Sequence, residues 1–217
     1  MTLSPPLTPT DRQYTLFWCE ENVYLLAQNF LRDAQIVSNW DLFAVFISNA
    51  AQTVALWNQK LAQEPGLPVV WDYHVILVLR LRLKNPGDQP VAWVYDFDTI
   101  LSFPTSWTDY FGKTFSAHVL PNFQSSFRVI PANEYIDHFA SDRSHMVHSF
   151  SSPQESEDAD PIYLKPPPPY PCICGPSSKL RGVAHNLPGF ISMWSTDGYG
   201  RVFSFEDADT FFSGLAI

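Results

Sequence analysis

Three side chains in this 217-residue chain, in the order Cys19, His74, Asp96, could together perform nucleophilic chemistry at a carbonyl or carboxamide carbon. A thiolate is the nucleophile, an imidazole takes its proton and later returns one to the leaving group, and a carboxylate orients the ring and stabilises its charged form. Each residue also has a plainer reading. Cys19 could be a buried, inert hydrophobe, His74 a core histidine with one hydrogen bond, and Asp96 a strand-end carboxylate. Asp98 is a rival to Asp96 for the orienting role. Order alone is weak, so the elements that position these residues decide.

Downstream of Cys19, Val23, Leu26, Ala27, Phe30 and Leu31 recur at helical spacing and form one buried face. Cys19 therefore lies at a helix N-terminus, where the helix dipole favours thiolate over thiol. Glu20 and Glu21 oppose that effect, so a nearby imidazolium is needed as well. Val69 to Leu83 reads as one long strand. Val75, Leu77, Leu79, Leu81 and Leu83 fall on one face, and His74, Ile76, Val78, Arg80 and Arg82 on the other. A turn over Lys84 to Asp88 returns the chain as a strand over Val91 to Phe97. Pairing Leu83 with Gly87 sets His74 directly opposite Asp96, about 5 Å away at Cβ. A slip of one residue would bring Phe97 or Asp98 there instead.

The remaining chain reads as a single catalytic domain, 1–217, with a flexible arm over 1–12 and a flexible acidic insertion over 149–161. Gln35 to Trp40 is expected as a loop, and Leu42 to Ile47 and Thr53 to Trp57 as a hairpin. Ser106 to Phe111 is a helical turn whose aromatics pack, Phe127 to Ile130 a strand, and Ala132 to Phe139 a short helix. Lys165 to Pro171 is polyproline II, a spacer or an SH3-type ligand. Asn186 to Trp194 is a loop, Gly200 to Phe205 a last strand, and Glu206 to Leu215 a terminal helix. A net charge of −9 argues against nucleic acid and anionic membranes and favours a cationic ligand such as a peptide α-ammonium group. Three cysteines and a polar, Pro-rich start point to free thiols, a reducing compartment and a cytoplasmic protein with nuclear entry by diffusion. Cys172 and Cys174 lack zinc-site spacing, as do His145 and His148. No metal and no cofactor are expected, and the chain is read as a monomer.

Specific strings then narrow the reading. Cys19-Glu20-Glu21-Asn22, Phe46-Ile47-Ser48-Asn49, Trp71-Asp72-Tyr73-His74-Val75 and Tyr95-Asp96-Phe97-Asp98-Thr99 occur in that order. Phe139-Ala140-Ser141-Asp142-Arg143-Ser144-His145-Met146, Pro167 to Cys172 and Phe190-Ile191-Ser192-Met193 follow. Over roughly residues 14 to 205 the chain resembles the protein N-terminal glutamine amidohydrolase family, also named for its WDYHV motif. The resemblance implies an α+β fold, a three-layer α-β-α sandwich with a mainly antiparallel sheet and a papain/transglutaminase-like core. It implies conversion of a protein's N-terminal Gln to Glu with release of ammonia, feeding arginylation in the N-degron pathway, with Cys19, His74 and Asp96 as catalytic residues. The partners implied are proteins or peptides with a free N-terminal Gln. The Lys84 to Pro90 connection and the acidic stretch Phe150 to Asp160 look longer than the family's.

Selectivity for a chain terminus needs a buried acceptor for the α-ammonium, and Glu20, Glu21, Asp72 and Asp142 are candidates. Gln13, six residues before Cys19, has the spacing of papain's oxyanion glutamine. A papain-like peptidase, a transglutaminase-type acyl transferase and a non-catalytic adaptor are the competing readings.

Overall fold

The apolar repeat after Cys19 forms helix α1 (Cys19–Leu31) in a computed structural model that describes residues 4–83, 90–150, 161–194 and 198–214. Val23, Leu26, Ala27 and Phe30 are its buried apolar face. The Asn22 carboxamide accepts from the Thr15 N–H and donates to the Thr15 carbonyl, both at 2.8 Å, which fixes the segment entering Cys19. Where a loop was expected after α1, a short helix α2 (Ala34–Asn39) forms. Its N-cap is Asp33, whose carboxylate accepts from the Gln35 and Ile36 N–H groups.

The strands are β1 (Trp40–Ser48), β2 (Val54–Leu56), β3 (Val69–Trp71), β4 (His74–Leu81), β5 (Ala92–Tyr95) and β6 (Thr105–Ser106). Then come α3 (Trp107–Thr114), β7 (Ser126–Pro131), α4 (Ala132–His138), β8 (Val147–Phe150) and β9 (Pro161–Tyr163). The chain ends with α5 (Pro176–Leu180), α6 (Leu187–Ile191), β10 (Arg201–Phe203) and α7 (Phe205–Ser213). Six strands make one antiparallel sheet in the order β10-β7-β1-β4-β5-β6.

The single strand expected over Val69 to Leu83 is two. β3 pairs with β2 in a separate small sheet, and β4 lies inside the large one. The break falls at Asp72-Tyr73, where the Asp72 carboxylate accepts from the Tyr73 N–H at 2.9 Å and the Ser48 hydroxyl donates to the Asp72 carbonyl at 2.6 Å. Apolar periodicity runs through this break and so conceals it. For the same reason β2 pairs with β3, not with β1 as a hairpin.

Alternation then builds three layers. Leu42, Ala44 and Phe46 of β1, with Val75, Leu77 and Leu79 of β4, pack with α1, α4 and α6 through Phe30, Tyr135 and Phe190. Val45, Ile47, Ile76 and Val78 pack on the other face with Trp107 and Tyr110 of α3 and Ala208 and Phe212 of α7. This is the α-β-α sandwich expected of an α+β chain. In β4 and β5, Leu77 faces Tyr95 and Val78 faces Val94, two residues away from the expected register. A shift of two keeps parity, so Asp96 remains on the face of His74.

Residues 84–89 and 151–160, which hold the two long connections, lie outside the described residues. The latter's flanks pair as β8 and β9. Within the proposed arm, residues 4–12 form no helix or strand, and the Pro6 carbonyl accepts from the Tyr95 hydroxyl at 2.6 Å.

The polyproline stretch is mostly exposed but tied to the rest of the chain through its backbone. The Pro166 carbonyl accepts from the Trp18 indole at 2.9 Å, and the Pro168 carbonyl from Arg143 at 3.2 Å. Arg143 grips the Glu21 carboxylate with two bonds of 2.9 and 2.8 Å, and both residues are buried. Burial leaves the Glu21 carboxyl above its ordinary range, although Arg143 pulls it down in part. This ion pair ties the segment after α4, and through it the prolines, to the first turn of α1. Truncation would strand a buried charge, so Arg143→Ala should lower the unfolding free energy by about 3–5 kcal/mol. Joint replacement, Arg143→Met with Glu21→Leu, should recover most of it in urea titrations, since no charge is then left unpaired. Equal losses in the single and double variants would contradict this role.

Candidate active site

Asp96 follows the end of β5, has almost no exposed surface, and accepts four hydrogen bonds. His74 Nε2 lies 2.8 Å from Oδ1, which also takes the Asp98 N–H at 2.9 Å. The Tyr110 hydroxyl, 2.9 Å away, and the Gln59 amide, 3.2 Å away, donate to Oδ2. Burial alone would raise the Asp96 carboxyl, but His74 and these donors hold it below the usual range. Burial likewise opposes charge on His74, yet Asp96 raises the imidazole above its ordinary value of 6.5. Asp96, not Asp98, is therefore the carboxylate hydrogen-bonded to the His74 ring. Asp98 instead accepts the Tyr14 hydroxyl at 2.6 Å. Tyr110 and Gln59 are site residues that sequence reasoning missed. Tyr110 sits in an aromatic cluster that reads as packing, and its hydroxyl was the one available signal.

His74 opens β4, and its ring stacks on Trp71 with centroids 5.2 Å apart. With Nε2 on Asp96, Nδ1 is buried and has no hydrogen-bond partner. Cys19, at the start of α1, is 6% exposed and stands at the Val75 amide, the residue next to His74. Burial, then the Glu20 carboxylate, pushes the thiol well up, while the Val75 N–H acts the other way. The helix end thus does not yield a resting thiolate. Sγ rests 3.6 Å from Glu20 Oε2, to which the thiol donates.

Cys19 lines a cavity of about 400 Å³, together with Phe17, Gln52, Trp71, Asp72, His145, His185 and the α6 residues Leu187, Pro188 and Ile191. The expected substrate-binding residues divide. Glu20 is fully buried beside the thiol, and Asp72 is exposed on the cavity wall. Both Glu21 oxygens are held by Arg143, which removes Glu21 as a free acceptor. Asp142 is exposed and stands 3.0 Å from His185 Nδ1. Gln13 is exposed and outside the cavity wall, because its spacing from Cys19 crosses a turn at Phe17, where φ is +72°. His74, Asp96 and Asp98 bring ligand-capable atoms within 4.8 Å of one another. The Asp96 oxygens and His74 Nε2 are occupied by hydrogen bonds, so the cluster suits proton transfer better than metal ligation. Cys172 and Cys174 are free and exposed.

A family model described as N-terminal glutamine amidase matches residues 14–212. The protein N-terminal glutamine amidohydrolase of Danio rerio is 38% identical over 205 residues, covering 93% of this chain and 90% of that one. The Homo sapiens protein of that name is 36% identical over 206 residues, covering 94% and 89%. The Arabidopsis thaliana one is 36% identical over 191 residues, covering 87% and 78%.

The opposed shifts of His74 and Asp96 define a pH window. Their pair contributes fully between the ordinary values of 3.8 and 6.5. The contribution is lost as pH rises through the raised His74 midpoint or falls through the lowered Asp96 one. An NMR titration should place the His74 midpoint above 6.5 and move it down in Asp96→Asn. An unchanged midpoint would contradict the pairing.

Proposed function

The chain belongs to the N-terminal glutamine amidase family, and we propose that it hydrolyses the side-chain carboxamide of a protein's N-terminal glutamine to Glu through a Cys19 thioester. The observation that carries the mechanism is the buried imidazole of His74. One nitrogen is fixed on Asp96, and the other is left unpartnered next to the residue whose amide faces the thiol.

His74 Nδ1 takes the Cys19 proton as sulfur attacks the carboxamide carbon. Negative charge moves to the carbonyl oxygen, near the Cys19 N–H at the mouth of α1, where a donor is worth about 3 kcal/mol to the transition state. The imidazolium gives its proton to the amide nitrogen, the C–N bond breaks, and ammonia leaves a thioester. A water, deprotonated by His74, attacks that carbonyl. The C–S bond then breaks to restore the thiol and release an N-terminal Glu. Asp96 stabilises the imidazolium in both halves and holds the ring so that Nδ1 faces the reaction.

A raised thiol fits this sequence, because the proton moves as sulfur attacks. The product is an acidic N-terminus of the kind that arginylation in the N-degron pathway takes, and we place the enzyme there, as a monomer acting in the cytoplasm or nucleus. The net charge of −9 suits a substrate that arrives by its ammonium end.

Incubation with a Gln-initiated peptide should release one ammonia per peptide, with little from an Asn-initiated or N-acetylated control. Cys19→Ala and His74→Ala should abolish release, and Asp96→Asn should reduce kcat by about 10³–10⁴-fold. Equal release from the acetylated peptide, or cleavage of the peptide bond, would overturn the reading.

A further inference from the structure

Behind Cys19 lies a group of polar atoms that the mechanism leaves idle. Glu20 has no exposed surface, and its Oε1 has no hydrogen-bond partner. His145 Nε2 stands 3.5 Å from that oxygen, and neither ring nitrogen of His145 makes a hydrogen bond. Glu20 Oε2 is already engaged, taking the Tyr73 hydroxyl at 3.1 Å and facing Cys19 Sγ at 3.6 Å. A buried carboxylate oxygen with no donor is costly unless a ligand supplies one. His145 and Cys19 both line the cavity, so this buried oxygen lies directly behind two of its lining residues.

We infer that Glu20 Oε1 and His145 Nε2 are the acceptors for the substrate's free α-ammonium group, and so are the residues that restrict the enzyme to unblocked chain termini. This rests on the glutamine-deamidating function proposed above. The ammonium is the only cation that such a substrate must carry, and a carboxylate beside an imidazole acceptor matches its donors. Reach agrees as well. In an extended glutamine the α-nitrogen lies roughly 5 Å from the carboxamide carbon by ordinary bond lengths. Glu20 is the residue next to the nucleophile, so sulfur at the carboxamide and Glu20 at the ammonium span one side chain.

Two acceptors sharing an ammonium at ordinary hydrogen-bond lengths stand roughly 4.5 Å apart. His145 therefore moves outward by about an ångström when substrate binds. It is free to do so. Its contact with Glu20 is loose, and the rings it meets, Trp18 edgewise and His185 stacked, stand at 5.7 and 5.8 Å between centroids. Glu21 is excluded by Arg143. Asp72 and Asp142 are solvated, which weakens any ammonium pair they could form.

The test compares a Gln-initiated peptide with its des-amino analogue, the same peptide acylated by 4-carbamoylbutanoate, which keeps the carboxamide and lacks the ammonium. Wild type should prefer the Gln peptide by at least about 100-fold in kcat/KM. Glu20→Gln should bring that preference to within a few fold, by loss on the Gln peptide. His145→Phe, at a partly exposed position, should narrow it by about tenfold, mainly through KM. Circular dichroism and thermal unfolding verify that each variant is folded. If Glu20→Gln does not fold, the His145→Phe result decides. Equal losses on both peptides, or an undiminished preference in His145→Phe, would overturn the assignment while leaving the deamidation reading intact. Wild type releasing ammonia from neither peptide would overturn that reading and this assignment together.

Discussion

A carboxylate without exposed surface must be enclosed by donors, and the arrangement of this molecule follows from how Asp96 is enclosed. Its four donors come from four places: the head of β4 (His74), the middle of α3 (Tyr110), the segment between β2 and β3 (Gln59), and its own chain two residues on (Asp98). His74 reaches Asp96 because β4 and β5 pair in register, and Tyr110 because α3 lies on the sheet face that carries Ile76 and Val78. The charge on Asp96 is thus a product of the finished fold, and it in turn fixes the His74 ring. Cys19 arrives from the opposite layer, on the helix packed against Val75, Leu77 and Leu79. Thiol and imidazole therefore belong to different layers that meet at the start of β4.

The two glutamates after Cys19 show how neighbouring identical residues take different roles. Successive positions on a helix point about 100° apart. Glu21 turns toward Arg143 and becomes a structural anchor, whereas Glu20 turns toward the thiol and keeps one oxygen unpaired. The polyproline stretch belongs to the same anchor. Its prolines have no N–H to give, and the carbonyls of Pro166 and Pro168 accept from Trp18 and Arg143. The segments before Cys19 and after α4 are thereby held in place without regular secondary structure.

Much of this was legible in the residues. The helical face of α1, the two faces of β4 and the antiparallel return to Asp96 follow from periodicity alone, and parity survived a register error of two. The break at Asp72-Tyr73 and the short helix capped by Asp33 were not legible, because each depends on one short side chain turning onto nearby backbone, and at the former the apolar pattern continues past it. Tyr110 and Gln59 were missed because contacts between distant segments leave no local trace. Gln13 failed for the converse reason, since a spacing borrowed from another fold ignores the turn at Phe17. That Glu20 opposes a helix-end thiolate was legible from its position, whereas the larger cause, burial of the thiol, was not.

The central claim is that Cys19 carries the glutamyl group while His74 and Asp96 move the proton, and trapping the acyl group tests it most directly. With hydroxylamine present during turnover of a Gln-initiated peptide, the account predicts an N-terminal γ-hydroxamate that forms at the expense of Glu and vanishes in Cys19→Ala. Production of Glu at an undiminished rate, with no hydroxamate at any hydroxylamine concentration, would contradict it.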